Sequence, residues 1–282
     1  MGHKRFGDLP NTGGWKRFKR LLGEKEVDAD VAAEAALEAL TRRLPLLKDD
    51  PGLCYSFWLL SQIVWSARRS DYYQVLREVG IDTDDPAEIT SPLAFISKVA
   101  DSARREIDAN RSSTVFSNIA QLALRETLTR LFTERAPSLL EMTADDVQST
   151  CKQFATTRQF GRLSTRFFGT YLTRLLQYFV EREVPSHVGP GKRFSVPEQV
   201  DSFRRRVAYL CELRAEAIES TFRERAEIVD SFAGGFASLH EYRGDLSLNR
   251  VSNTFIPRAL EKLKAELERS RATDDNRRGP EP

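Results

Sequence analysis

Little in this sequence could hold a metal ion or a redox group. The 282 residues include three histidines, three cysteines and two methionines. His3, His187 and His240 are scattered, His240-Glu241 lacks the second histidine of an HExxH helix, and no Asp, Glu or His grouping has metal-ligand spacing. Cys54, Cys151 and Cys211 lie far apart without a CxxC pair, which argues against a zinc knuckle or a disulfide framework and fits a reducing compartment. Neither a metal nor any other cofactor is expected. Long apolar runs are missing too. The longest, Leu53 to Trp65, spans thirteen residues, carries Ser56, Ser61 and Gln62, and is followed by Arg68 and Arg69. A bilayer needs roughly 20 apolar residues, so no membrane span is expected. The first residues, MGHKRFGDLPNTGGWKRFKRLL, are basic but lack the apolar stretch of a secretion signal, and the chain reads as cytoplasmic.

Glycine and proline, at 15 and 12, fall at discrete points instead of in runs, which favours separate elements over a disordered chain. Alternation of apolar and polar β-branched residues is absent, and after Asp30 the apolar period is 3.6 nearly everywhere. The expected fold class is all-α, a multi-helix bundle. Asp28 or Asp30 starts an alanine-rich helix that stops or kinks near Pro45. Pro51 opens the next, and a short one from about Asp71 ends at Gly80. Ser91 with Pro92 at the first helical position begins another. Ser112 or Ser113 starts a helix closed by Pro137, and Thr143 with Asp146 forms a capping-box variant. A long helix follows from about Phe160 to Glu183. Pro197 to Phe232 meets no breaker until Gly234-Gly235, which predicts one very long helix there. A final helix reaches about Arg271, with Pro257 kinking it or lying near its start.

Charge divides the chain. Residues 1–26 carry seven Lys/Arg against three Asp/Glu, residues 27–150 carry 13 against 20, and residues 151–225 carry 14 against 8. The expected organisation is a flexible basic arm over 1–26, an acidic helical region over 27–150, a basic region over 151–271 continuous with it, and a disordered tail over 272–282. Arginine outnumbers lysine 33 to 10. GC-rich bacterial coding would produce that bias without selection for function.

On a helical wheel from Arg162, the large apolar residues fill one arc, and Arg162, Arg166 and Arg174 share the other with Thr170, Thr173 and Gln177. Such a ridge of donors could contact phosphate, although a polar face is also what any amphipathic helix shows. Arg158, Lys192, Arg193, Arg204 and Arg205 would extend it, giving a basic face over residues 158–206. In the arm, Lys16, Arg17, Lys19 and Arg20 interleave with aromatics in WKRFKRLL, which suits nucleic-acid backbone or an acidic partner. The same segment equally describes a first helix packed through Trp15, Phe18 and Leu22.

No catalytic signature matches. HVGPGKRF, residues 187–194, has GxGK spacing, Arg193 where a phosphate-binding loop needs Ser or Thr, and a helix where that loop needs a strand. It reads as a connection between helices. No GxSxG elbow is present, and acidic pairs such as Asp49-Asp50 fall at turns and helix starts, where the helix dipole accounts for them. The expectation is therefore a non-enzymatic scaffold or adaptor subunit of a larger bacterial assembly, with other protein subunits as partners. The second expectation is direct DNA or RNA binding through the basic face.

Overall fold

The computed structural model describes residues 13–24, 29–110, 114–135, 141–203, 205, 229–265 and 268. Those residues form an all-α multi-helix bundle. The helices are α1 (Gly13–Gly23), α2 (Ala29–Thr41), α3 (Pro51–Ser66), α4 (Tyr72–Glu78), α5 (Pro92–Asn110), α6 (Val115–Arg135), α7 (Ala144–Lys152), α8 (Thr157–Glu183) and α9 (Val229–Tyr242), followed by a last helical stretch over 248–265. No described helix is long and apolar enough to cross a membrane. Residues 1–12 and 269–282 lie outside the described residues, as does most of the expected 197–232 helix, at 204 and 206–228.

The chain forms two compact units, each assembled from separate stretches of sequence. The first comprises residues 1–46, 172–218 and 261–282. Its α1 packs on α2 through small residues: Gly14 lies against Ala39, where a Cβ would sit 3.3 Å from the Ala39 Cα, and Ala32, Ala35 and Ala36 are buried. Trp15, Phe18 and Leu22 form the buried side of α1, and the Trp15 ring meets Phe179 edge-on at 5.5 Å. WKRFKRLL forms a packed amphipathic helix, with Lys16, Arg17, Lys19 and Arg20 on its exposed side.

The second unit comprises residues 47–171 and 219–260. At its centre is α3, whose apolar residues run all the way round the helix, the pattern of one wrapped by others. Asp50 caps it by accepting from the Leu53 N–H at 2.8 Å, and the same carboxylate accepts from the Thr114 hydroxyl at 2.8 Å. Thr114 in turn caps α6 by accepting from the Ser117 N–H. Two helix starts thus share one polar joint, which leaves no room for a side chain at Gly52, where a Cβ would overlap Ser117. Phe57 on α3 stacks on Phe255 at 4.5 Å, and Phe255 stacks on Phe232 at 5.4 Å, continuing the core towards α9.

The local punctuation of the sequence acts as expected at several sites. Gly80, at φ 91°, ends α4. Ser91 caps α5, accepting from the Ala94 N–H at 3.1 Å, and Thr143 and Asp146 form the capping box of α7. Pro257 lies within the last helical stretch, just after a π turn at Val251–Phe255. That widened turn takes up the backbone bond that proline cannot make.

One expectation fails. Gly234-Gly235 is no breaker and no loop, because α9 runs through both. The reason is packing: a Cβ at Gly234 would overlap the Thr157 carbonyl oxygen, so the missing side chain lets α9 approach the start of α8. Gly235 has nothing within 4 Å of a Cβ. Adjacent glycines should therefore respond oppositely. Gly235→Ala should stabilise by up to about 1 kcal/mol through helix propensity, whereas Gly234→Ala should destabilise by at least about 1–3 kcal/mol through overpacking. Thermal or urea melts of the two variants check this.

Candidate basic interface

Within the first unit, α1 ends beside the turn that follows α8. After Glu183 comes a 3-10 turn, Val184–His187, and then the loop to Phe194. That loop closes on itself, with the Phe194 N–H donating to the His187 carbonyl at 3.1 Å and the Gly189 N–H to the Phe194 carbonyl at 2.8 Å. Gly189 at φ 132° and Gly191 at φ 77° supply conformations that side chains resist. HVGPGKRF is a connection between helical segments, as its composition predicts.

Arg193 fixes this loop to α1. Its Nη1 donates to the Leu21 carbonyl at 3.0 Å, which also accepts from the Glu24 N–H at 3.3 Å, and cations also suit that end of the helix dipole. The guanidinium lies 5.1 Å from the ring centroid of Phe203 and 5.5 Å from that of Phe194. Lys192 does a similar job, its Nζ donating to the Ser186 carbonyl at 2.8 Å while the side chain stays exposed. On the other side of the junction, Lys19 Nζ lies 3.1 Å from Glu183 Oε1. His187 packs beside Gly23, where a Cβ would meet the imidazole at 3.5 Å. Partial burial pulls the His187 pKa below its ordinary value. Lys192, Arg193 and Lys19 add to that, and Glu183 opposes it.

The remaining candidate cations distribute as follows. Arg17 is 3.4 Å from Glu38, and Arg20 is 3.8 Å from Glu24 on the surface. Lys16 has no carboxylate partner among the described residues and is exposed. Arg205 is exposed, its Nε donating to the Asp201 carbonyl, and Arg204 lies outside the described residues. Arg174 is half-buried in the first unit. Arg158, Arg162 and Arg166 belong to the second unit. There Arg158 and Arg162 are exposed, while Arg166 Nη1 pairs with Glu134 of α6 at 2.6 Å. Thr170, expected on the same polar face, is buried.

The wheel thus placed an arginine row along α8, but one of its members already has a carboxylate, and a second set of cations lies on α1 and the loop that Arg193 ties to it. Lys16, Lys19 and Arg20 come from one end of the sequence, and Lys192 and Arg193 from more than 170 residues further on. No local signal could pair them.

The chain matches no protein-family model, curated protein or solved structure.

A second polar group sits at the end of α9. His240 is buried against the Phe236 ring, and its Nδ1 lies 2.6 Å from Asp245 Oδ1. Hydrogen bonding to His240, helped by the charges of Arg250 and Arg243, holds the Asp245 carboxyl below the usual carboxylate range. Gly244 at φ 67°, with the Asp245 N–H bonded to the His240 carbonyl, makes this a helix C-terminal closure. No group of three His, Cys, Asp or Glu side chains among the described residues could hold a metal ion.

The imidazole at the α1 junction generates a pH prediction. A His whose folded pKa is depressed binds fewer protons folded than unfolded, so stability falls as pH drops through about 6.5 towards the lower folded value. Acidification should loosen the attachment of α1, seen as faster amide exchange over Gly13–Gly23 at pH 5.5 than expected from intrinsic rates. His187→Gln should flatten that dependence.

Proposed function

We propose that the chain is an adaptor subunit of a larger bacterial assembly, one that handles nucleic acid, and that it works by presenting a fixed basic surface to an anionic partner. The observation that supports this reading is the α1 junction. Arg193 spends its guanidinium on holding α1 and the loop together, while Lys16, Lys19, Arg20 and Lys192 remain exposed around the seam. Trp15 and Phe18 pack α1 against the unit and the loop closes on itself, so these cations sit on a packed helix and a closed loop. Preorganised charge raises association rate and selectivity more than it raises affinity.

Light scattering on size-exclusion fractions, with the chain alone and after co-purification from its native cells, tests the proposal. A strict monomer that retains no partner sinks it. Lys16→Glu with Arg20→Glu should slow partner association steeply while shifting stability by no more than about 0.5 kcal/mol per site. Phe168→Ala and Leu175→Ala, both buried, should each lose roughly 2–5 kcal/mol and serve as folding references.

A further inference from the structure

The chemistry of the junction narrows its partner. Lys16, Lys19 and Arg20 fall within about 100° of arc on α1 by the helical repeat, and neighbours three and four apart on a helix lie about 5–6 Å apart. Lys192 adds a fourth cation from the loop beside the α1 C-terminus. In a chain with 33 arginines and only ten lysines, three of these four positions are lysine. Arg17 pairs with Glu38 on the surface, Arg193 donates to the Leu21 carbonyl, Lys19 pairs with Glu183 and Lys192 donates to the Ser186 carbonyl, so Lys16 and Arg20 carry the least committed charge. Flexible ammonium groups are point charges that follow a phosphate without demanding the planar geometry of a carboxylate fork.

The surroundings argue against the alternatives. The aromatic rings of α1 and of the loop, Trp15, Phe18 and Phe194, are buried, so none is offered as a platform for unstacked bases. The loop beside it is Gly-Pro-Gly at 189–191, with nothing within 4 Å of a Cβ at either glycine, so its low profile lets a broad surface approach. Glu183 and Glu24 lie within the row and partly offset it, leaving a modest surplus of positive charge.

We propose that Lys16, Lys19, Arg20 and Lys192 form a binding site for the phosphate backbone of duplex nucleic acid, read without regard to base sequence. This rests on the proposed reading that the basic surface of the first unit meets an anionic partner, and names that partner.

The test is fluorescence anisotropy of the full chain with a labelled DNA duplex of arbitrary sequence. With one phosphate per cation at a slope of about 0.9 each, log affinity should fall against log salt with a slope near −3.6, or about 150-fold between 50 and 200 mM. Lys16→Gln and Arg20→Gln disturb the fewest internal bonds, and each should reduce the slope by about 0.9. Arg104→Gln, an exposed cation on α5, removes the same net charge and should leave the slope unchanged. Single strands should bind more weakly, and scrambling the duplex sequence should have no effect. The proposal is overturned by no duplex binding at 50 mM salt, by a slope that Arg104→Gln reduces as much as Lys16→Gln does, or by polyglutamate displacing the duplex at equal charge. Retention of a protein partner that Lys16→Glu abolishes, without duplex binding, would remove the nucleic-acid assignment and leave the adaptor reading standing. Duplex binding by a strict monomer with no protein partner would do the reverse.

Discussion

A helix with no exposed residue can pair its polar groups only inside the protein, and α3 sets that condition for the whole second unit, although its Ser56 hydroxyl and Trp65 indole N–H are buried without a hydrogen-bond partner. Its start is settled by Asp50, whose carboxyl is pushed up by burial and held back by bonds from Leu53, Thr114 and Ser117. Its middle is settled by neighbours: the Tyr55 hydroxyl donates to the Val79 carbonyl, and Trp58 and Gln62 both donate to the Leu246 carbonyl. Ser61 and Ser66 donate back to carbonyls one turn earlier. These bonds fix where α4, α6 and the segment before the last helical stretch can lie, because a missed bond to a buried group costs about 1–3 kcal/mol. The aromatic stack from Phe57 through Phe255 to Phe232 then fills the remaining space.

The first unit uses a different device. Its small-residue contact of α1 on α2 is joined by the surface pair of Arg17 with Glu38, and Arg193 serves as a clasp, bonded to α1 and packed against the rings of Phe194 and Phe203. A cation that looks like surface charge in the sequence is thus a structural part, and the exposed charge lies on the residues around it. Basic composition alone does not separate these roles. What separates them is whether a carbonyl or an aromatic face lies within reach.

Local features were legible and distant ones were not, for a physical reason. Asp50 before Pro51, Ser91 before Pro92, Thr143 with Asp146 and Gly80 all act within one turn of their own position, so the residues that reveal them are adjacent in sequence. The continuous apolar run of α3 signals burial for the same reason. Gly234 misled because its purpose is set by the Thr157 backbone, 77 residues earlier, and a glycine pair otherwise looks like a stop. Arg166 looked like part of an open ridge because Glu134 comes from another helix. The candidate site was legible as two separate basic segments, WKRFKRLL and GKRF, but their union depends on Arg193 finding Leu21, and nothing in either segment announces the other.

The order of synthesis gives the interleaved units a history. Trp15 and Phe18 leave the ribosome early, yet Phe179, which covers Trp15, follows 164 residues later, roughly 8–30 s at ordinary elongation rates. During that interval the second unit can gather most of its helices, while α1 and α2 wait as an unfinished pair with aromatic surface uncovered. The lysines and arginines along the outer side of α1 would then serve the nascent chain before they serve any partner, keeping an early amphipathic helix in solution until its cover arrives.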